Sequence, residues 1–386
     1  MLIGKRAYRT KTGSPIVPPV TADVRILLLA DTHLGFDLPV RPRVERRRRG
    51  RDFFANYRAA LEPAFAGQVD LVVHAGDVFD RPTVDPSVAY QAYEPLRCLA
   101  DLGVPVFIVP GNHERSRLPH PSFASHPLVH VFHRATTFVV DVRGTAIALS
   151  GFPYERRNVR GRFAELLEQT EWRSARAALR VLCIHHCVEG ATVGPQNFTF
   201  TTGHDVIGAC DVPPDFNVVL SGHIHRHQVL MTDLQHRPIS TPVLYPGSVE
   251  RTSFAEAGET KGFIVVHLSA DERDLQVRWE FHRLPARPML REELVVDAMD
   301  GQALDEALRA IITAAPRDAV LSIRIAGALT DEHWRTLSAA RMRSFVPTTM
   351  NVEIAPVARL ARQRELPSPS GRTESYAAQL SLYDGL

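Results

Sequence analysis

The sequence predicts an α/β protein followed by a small α+β domain. Apolar runs of strand length, such as residues 24–30 and 71–75, alternate with segments of helical periodicity along the first 285 residues. This alternation is typical of βαβ architecture, in which ligands bind beyond the carboxyl ends of the strands. A PARP segment at residues 285–288 marks a predicted boundary, because a shorter pattern of strands and helices begins after it.

Length and composition limit the domain organisation. A chain of 386 residues can form one large domain and one small one. The net charge of +2 indicates no class of partner by itself. We predict a disordered extension at residues 1–23, a main domain at 24–285, a small α+β domain at 286–358 and a flexible tail at 359–386.

The cysteines and the hydropathy pattern indicate a compartment. Four cysteines without a CxxC pair predict reduced thiols in a cytoplasmic protein. Cys183 and Cys187 flank two histidines, but one such pair is more typical of a strand core than of a zinc site. No apolar run reaches membrane-spanning length, so we predict no membrane contact.

The first two predicted strands end in carboxylates. Residues 24–30 run directly into Asp31 and His33, which can both turn toward one crevice. Residues 71–75 run into a glycine and Asp77. Glycine permits a sharp turn there, so the Asp77 carboxylate could project into the crevice and bridge two cations. Taken alone, Asp77 fits a turn cap equally well.

Helix signals follow each of these strands. Aromatic and leucine residues recur at helical spacing in residues 52–66, and Asp85 with Pro86 starts a second helix. The other elements predicted for the main domain are strands at residues 106–109, 181–184, 217–220 and 276–283, a hairpin at 137–142 and 145–150, and a helix at 160–179. The small domain is predicted to contain strands at 293–296, 319–325 and 348–354 and helices at 302–314 and 330–340.

Polar side chains follow five of the predicted strands, a coincidence that packing explains poorly. Taken alone, Asn112 fits a turn and His113 a surface position, and His186 is a rival to His185. The candidate set is Asp31, His33, Asp77, Asn112, His113, His185, His223 and His225.

Carboxylate, amide and imidazole groups without thiolate suit manganese, iron or zinc in a catalytic centre. Two cations roughly 3.5–4 Å apart suit in-line displacement at phosphorus. His113 stands next to a candidate ligand and could protonate the leaving oxygen or stabilise the transition state.

An arginine-rich segment lies between the first candidate loop and the first helix. Seven of the eleven residues 41–51 are arginine. Contact with nucleic-acid phosphates and a solvated surface both fit this segment. The chain contains only three lysines, so part of the arginine excess could reflect overall composition.

Five motifs in order carry a resemblance. DTH, GDVFD, GNHE, IHH and GHIH resemble the motif series of the calcineurin-like metallophosphoesterase superfamily. Within it, GDVFDRP, the arginine-rich segment after DTHLG, and YPGSVERTSF followed by KGF are similar to SbcD-type DNA repair nucleases. The resemblance covers about residues 24–284 and implies a four-layer metallophosphoesterase-type β-sandwich flanked by helices, with a small α+β capping domain.

The resemblance also implies a site with two Mn²⁺ ions, in place of which Fe, Zn or Mg could bind. Asp77 would be shared between the ions, and His113 would be the catalytic histidine. Some members carry a second histidine three residues after the shared Asp, where this chain has Asp80. One ion would be held by Asp31, His33, Asp77 and His225, and the other by Asp77, Asn112, His185 and His223. His185 is preferred to His186 because it directly ends its strand.

The implied function is a manganese-dependent DNA nuclease, an exonuclease or endonuclease or both, in DNA repair or end processing. Residues 286–358 would form a DNA-binding cap, and a homodimer and an SbcC-type ATPase are implied partners. Residues 359–386 look too short for a two-helix docking segment. The alternatives are a phosphodiesterase or phosphatase for small phosphoesters such as cyclic nucleotides, and a metal-free scaffold. The predicted DNA-phosphate contacts are Arg46, Arg47, Arg48, Arg49, Arg51, Ser248 and Arg251.

Overall fold

The computed structural model describes residues 23–37, 49–271 and 274–357. Within them the chain divides into two compact units that meet in sequence between Ala286 and Arg287. The tail predicted at 359–386 and nearly all of the extension predicted at 1–23 lie outside the described residues. In the part of the chain that is described, no helix has the length and apolar character that a membrane span requires.

The first unit combines helices with two large sheets. Its helices are α1 (Gly50–Phe65), α2 (Pro86–Asp101) and α3 (Val159–Gln169). Its strands are β1 (Val24–Leu29), β2 (Leu71–His74), β3 (Val106–Ile108), β4 (Val129–Val131), β5 (Thr136–Val142), β6 (Thr145–Gly151), β7 (Leu179–Ile184), β8 (Cys187–Val188), β9 (Thr192–Val193), β10 (Phe198–Thr199), β11 (Val206–Ile207), β12 (Val218–Ser221), β13 (Gln228–Thr232), β14 (Pro238–Tyr245), β15 (Gly262–Asp271) and β16 (Asp274–Arg283).

The two sheets each have six strands in the described chain. The first has the order β16-β15-β1-β2-β3-β4, and the second has the order β13-β14-β12-β7-β6-β5. β1, β2 and β3 run parallel, as do β6, β7, β12 and β14. The carboxyl ends of the central strands therefore lie at one edge of each sheet, where the loops can gather a ligand.

The apolar strands are buried on both faces. Leu27 and Leu29 of β1 pack with residues of α1 and α2, whereas Ile26 and Leu28 pack between the sheets with residues of the second sheet. Leu182 of β7 faces outward from the second sheet and packs with α3. Because side chains alternate across a strand, each unbroken apolar run supplies two cores. The predicted four-layer sandwich flanked by helices is confirmed.

Two predicted helices are shorter than expected. The helix predicted at 160–179 ends at Gln169, because Glu171 has a φ of 57° and starts the 3-10 turn Trp172–Ser174. The helix predicted at 330–340 is two helices, because the Ser338 side chain accepts the Arg341 backbone N–H and caps a new helix.

The second unit is a compact β-α-β arrangement. Its strands are β17 (Met289–Val295), β18 (Val320–Ala326) and β19 (Asn351–Val357), which pair in parallel in this order. Its helices are α4 (Gly301–Ala314), α5 (Asp331–Thr336) and α6 (Ala339–Arg343). Leu304 and Leu308 of α4 pack on Leu321 and Ile323 of β18 to form an apolar core.

Candidate metal centre

Polar residues at the ends of five strands converge in the structure. Asp31, Asp77 and Asn112 lie just beyond β1, β2 and β3 of the first sheet. His185 follows β7 directly, and His223 follows β12 in the second sheet. The His223 backbone N–H donates to Asp31 Oδ1 at 3.1 Å, so loops from the two sheets are joined at this point.

Asp77 is central to the cluster. Its Oδ2 lies 3.3 Å from Nε2 of His185 and 4.0 Å from Nε2 of His33 and of His113. Its Oδ1 accepts the backbone N–H of His113 at 2.9 Å. A buried carboxylate that faces imidazoles from several loops has the geometry that a ligand shared by two cations needs.

The first group of candidate ligands contains two facing imidazoles. His33 Nε2 and His225 Nε2 are 3.0 Å apart. A carboxylate oxygen of Asp31 and one ligand atom from each of these histidines all lie within 4.8 Å of one another. The nitrogens thus point at a common position.

The second group is assembled around an amide oxygen. Asn112 Oδ1 lies 3.0 Å from His185 Nε2 and 2.8 Å from His223 Nδ1. Asp31, Asp77 and His185 also offer ligand atoms within 4.8 Å of one another. All seven residues proposed from the sequence as metal ligands therefore lie in one cluster.

Several of these residues have unusual backbone conformations. The φ angle is 51° at Asp31 and at Asp77, 41° at His33 and 79° at His223. Residues other than glycine rarely adopt this left-handed region, and each instance costs on the order of 1–3 kcal/mol. Such strain typically clusters at functional sites, where the surrounding structure enforces it.

Two glycines give the cluster its space. A Cβ atom at Gly76 would lie 2.1 Å from His185 Nδ1, and one at Gly111 would lie 2.1 Å from Asp77 Oδ1. Gly76 also has a φ of 103°. A side chain at either position would displace a candidate ligand.

Burial and mutual contact shift the pKa values of the cluster. Burial lowers the pKa of His33 well below its ordinary value, and the neighbouring His113 and His225 lower it further. Burial opposes protonation of His185, but Asp77, Asp31 and the Ala75 carbonyl together outweigh burial and raise the pKa of His185 to about 9. A cation at these atoms would displace protons, because imidazole binds metals in its neutral form.

One buried carboxylate oxygen of the cluster has no hydrogen bond within the described part of the chain, as expected for an atom that binds a metal ion. Asp31 Oδ2 is buried and accepts no hydrogen bond from the described residues. Burial raises the pKa of Asp31, although His185 and His225 oppose that effect. A divalent cation would compensate the buried carboxylate and occupy the facing nitrogen lone pairs of His33 and His225. The donor set, which contains oxygen and nitrogen atoms, suits several such cations.

His113 has an orientation suited to proton transfer. Its Nδ1–H donates to the Asp80 carbonyl oxygen at 2.8 Å. The side chain is 24% exposed, so its Nε2 edge can meet a substrate. Asp80 thus contributes a backbone carbonyl that orients this ring.

The structure distinguishes the two adjacent histidines that follow β7. His186 Nε2 accepts the backbone N–H of Glu155 at 2.9 Å, and its ring stacks on Tyr154. His185 instead directs Nε2 toward Asp77 and Asn112. The geometry favours His185 as the ligand.

Other residues that stand out in the sequence have structural contacts. His74 Nε2 lies 2.9 Å from the Thr32 hydroxyl, and the His227 ring stacks on Phe281. Cys183 and Cys187 are buried in apolar clusters.

Three residues of the site were missed by the sequence analysis. Glu114 is buried and accepts the backbone N–H of Gly111 at 2.7 Å, which fixes the loop that carries Asn112. Glu256 Oε1 lies 3.1 Å from His225 Nδ1, and Lys261 contacts Glu256. The motifs GNHE and KGF contain Glu114 and Lys261, but spacing alone assigned them no partner.

Three residues predicted to contact DNA have hydrogen-bond partners within the protein. Ser248 is fully buried and donates to the Glu250 carbonyl oxygen at 2.8 Å. The Arg251 guanidinium donates to the Glu259 carbonyl oxygen, and Arg49 donates to the Arg251 carbonyl oxygen. Contact of these three residues with phosphate stays a prediction. Arg51 is exposed on α1, and Arg46, Arg47 and Arg48 lie outside the described residues.

The fold and the cluster define a phosphoesterase. The calcineurin-like phosphoesterase family model matches residues 24–227, which is more than half of the chain. The chain belongs to this family. The predicted class of enzyme, a metallophosphoesterase, is confirmed.

The curated relatives include a DNA repair protein and a subunit of a nuclease. The chain is 28% identical to the DNA double-strand break repair protein Mre11 of Aeropyrum pernix over 298 residues, 74% of this chain and 66% of that protein. It is 27% identical to the SbcD component of the nuclease SbcCD of Bacillus subtilis over 277 residues, 64% of this chain and 67% of that protein. The chain thus spans about two thirds of the length of these curated relatives.

A solved structure also matches. The dimetal phosphatase of Danio rerio aligns with a TM-score of 0.43 and 14% identity, over 67% of this chain and 96% of that one.

Proposed function

We propose that the protein is a manganese-dependent DNA nuclease that acts in DNA repair or end processing. The observation that carries the proposal is the buried cluster around Asp77, in which carboxylate, amide and imidazole groups from five strand ends meet. Two named relatives, a nuclease component and a double-strand break repair protein, support DNA as the substrate.

In this proposal the cluster holds two cations. Asp31, His33 and His225 bind one together with Asp77, and Asn112, His185 and His223 bind the other together with Asp77. When bound, the cations supply an activated water and charge neutralisation at phosphorus.

The protein itself supplies orientation and a proton. The Asp80 carbonyl oxygen accepts the Nδ1–H of His113 and thereby orients Nε2 toward the substrate side. Protonated at Nε2, His113 donates a proton to the leaving oxygen of the cleaved phosphodiester. The backbone of His113 also holds Asp77, so the acid and the shared carboxylate keep a fixed relation.

The remaining roles are also part of the proposal. Residues 286–358 form a DNA-binding cap, and the exposed Arg51 contacts backbone phosphate without reading bases. An SbcC-type ATPase and a second copy of the chain are the proposed protein partners.

The test is cleavage of labelled DNA with added manganese. A linear duplex, a hairpin, a single strand and a small phosphodiester are each incubated with the wild-type protein and with Asp77→Asn. We expect cleavage of DNA that the variant lacks. Turnover of the small phosphodiester with intact DNA would replace the nuclease by a phosphodiesterase for small molecules. No turnover of any substrate, with no manganese bound, would favour a metal-free scaffold.

A further inference from the structure

One lysine has an unusual position. The chain has only three lysines, and Lys261 is the one that lies within the described residues. Its side chain is fully buried. A buried ammonium group is costly unless it is paired and hydrogen-bonded, so its contacts point to a specific role.

Lys261 Nζ contacts three oxygen atoms, two as hydrogen-bond acceptors and one as an ion-pair partner. It lies 2.5 Å from Glu256 Oε2 and 3.0 Å from Glu259 Oε2, and it donates to the His225 carbonyl oxygen at 2.8 Å. An ammonium group has three donors in a compact arrangement, whereas the planar guanidinium of arginine does not fit three convergent acceptors in this way. This difference accounts for a lysine here, whereas every other Lys or Arg among the described residues is arginine.

Glu256 connects this lysine to the metal cluster. Its Oε1 lies 3.1 Å from His225 Nδ1 and also accepts the Thr252 hydroxyl. A carboxylate accepts but does not donate, so His225 carries its proton on Nδ1. In the neutral imidazole that binds a metal, the lone pair is then on Nε2, which faces His33 Nε2 at 3.0 Å.

The histidine of the other group is supported differently. His185 Nδ1–H donates to the Ala75 carbonyl oxygen at 2.7 Å, and this acceptor is neutral. A carboxylate acceptor increases the basicity of a metal-binding imidazole more than a carbonyl acceptor does. The Nδ1 atom of His225 therefore contacts a charged acceptor, whereas that of His185 contacts a neutral one.

We propose that Glu256 and Lys261 are positioning residues that fix the ring and the tautomer of His225, so that the cation site of Asp31, His33 and His225 depends on this buried ion pair. Glu256 orients the ring, and Lys261 compensates the charge of Glu256 and holds the His225 backbone. The inference rests on the proposed metal centre and goes beyond it, because it makes the two cation sites unequal.

The test measures manganese binding without substrate. Wild-type protein and variants are stripped of metal and titrated with Mn²⁺ by calorimetry, and bound manganese is counted by elemental analysis. In Glu256→Leu, which removes the acceptor, we expect one of two sites to weaken by roughly 10–100-fold. Glu256→Gln keeps an acceptor oxygen, and we expect it to restore part of the affinity.

Glu259→Leu is the matched control. Glu259 also contacts Lys261, and it contacts Arg226, but it does not touch the imidazole of His225. We expect this variant to bind manganese as the wild type does. The double variant Glu256→Leu/Lys261→Met removes both charges of the pair, and we expect its unfolding temperature to exceed that of Glu256→Leu while the weakened site stays weak.

A spectroscopic measurement separates positioning from general stability. Nitrogen-15 NMR of the metal-free protein, recorded at a pH high enough for His225 to be neutral, should show its proton on Nδ1 in the wild type and in Glu259→Leu, and a mixture of tautomers in Glu256→Leu. Unchanged tautomer and manganese affinity in Glu256→Leu, or equal weakening in Glu259→Leu, would overturn the inference. A wild type that binds two manganese ions but cuts no DNA would refute the nuclease alone, whereas one that binds none would refute the metal centre as well.

Discussion

Two buried histidines, one in each unit, have opposite surroundings. In the second unit, His333 Nε2 donates to the Met299 carbonyl oxygen at 2.8 Å and Nδ1 accepts the Thr330 backbone N–H at 3.2 Å, so both nitrogens are satisfied. In the first unit, His33 Nδ1 is buried without a hydrogen bond from the described residues, and Nε2 faces another imidazole. A satisfied histidine caps a helix, whereas an unsatisfied cluster is built for a ligand.

The same contrast appears in the backbone and the core. The second unit packs Leu304 and Leu308 around an apolar centre, and Asp300 caps α4 in the ordinary way. The metal cluster instead places Asp31 and Asp77 in the left-handed region and buries their carboxylates. In the second unit the backbone conformations are those that the residue types prefer. In the metal cluster they are not, which is expected where function imposes the geometry.

The largest expected effect is on proton donation within the first unit. We predict that His113→Asn lowers the rate of manganese-dependent DNA cleavage by roughly 10²–10⁴-fold, the usual contribution of a general acid. Manganese binding should persist, because the proposed ligands remain. Single-turnover cleavage and manganese titration check both parts. The control is His204→Asn at an exposed histidine, and an equal loss there would contradict the role of His113.

A second prediction concerns the space around the ligands. Gly76→Ala should weaken manganese binding by roughly 10–100-fold or more, because the new Cβ would lie 2.1 Å from His185 Nδ1. Gly258→Ala is the matched control, since no atom lies within 4 Å of a Cβ built there. Calorimetric titration of both variants measures the difference. Wild-type affinity in Gly76→Ala would mean that His185 is not needed as a ligand.

A third prediction isolates the second unit. Leu308→Ala should lower the free energy of unfolding by about 2–5 kcal/mol, because it leaves a cavity in a packed core. Urea denaturation measures this change. The number of manganese ions bound per folded chain should stay at the wild-type value. A loss of bound manganese in this variant would contradict the claim that the metal centre does not depend on the core of the second unit.

The last expected effect is a local change in dynamics. Manganese at about 100 times its dissociation constant should slow amide exchange in loops that open when the metal leaves, by up to roughly 100-fold. We expect this protection near Asp31, Asp77 and Asn112 and none in residues 287–357. Hydrogen exchange with mass spectrometry resolves these segments. Uniform protection of both units would contradict a localised site.

The sequence indicated the residues of the cluster better than it indicated the residues that contact and orient them. Asp31, Asp77 and His185 each end an apolar strand, and parallel strands bring their ends together, so local pattern was sufficient. Glu256 reaches His225 across a loop, and β1 pairs with β15 far away in sequence. Such contacts depend on tertiary packing, which periodicity does not encode.

Some elements were missed, and one predicted helix end was wrong, where the local sequence signals were weak. The strands β8 to β11 have two residues each, too few for an alternation pattern. The hairpin of β13 and β14 was missed, and the early end of α3 depends on the conformation of Glu171. Residue type also gave no information on burial, so the sequence did not show that Ser248 is buried or that Arg49 donates to the Arg251 carbonyl oxygen.

The most direct test of the binuclear centre is the number of manganese ions bound by the purified chain. Elemental analysis and calorimetry of the wild type should give two ions per chain, and Asp77→Asn should bind fewer because it alters the carboxylate proposed to be shared. Two ions in the wild type with a clear loss in the variant would support the assignment of Asp77. No bound ion, or two ions bound with equal affinity in both proteins, would contradict it.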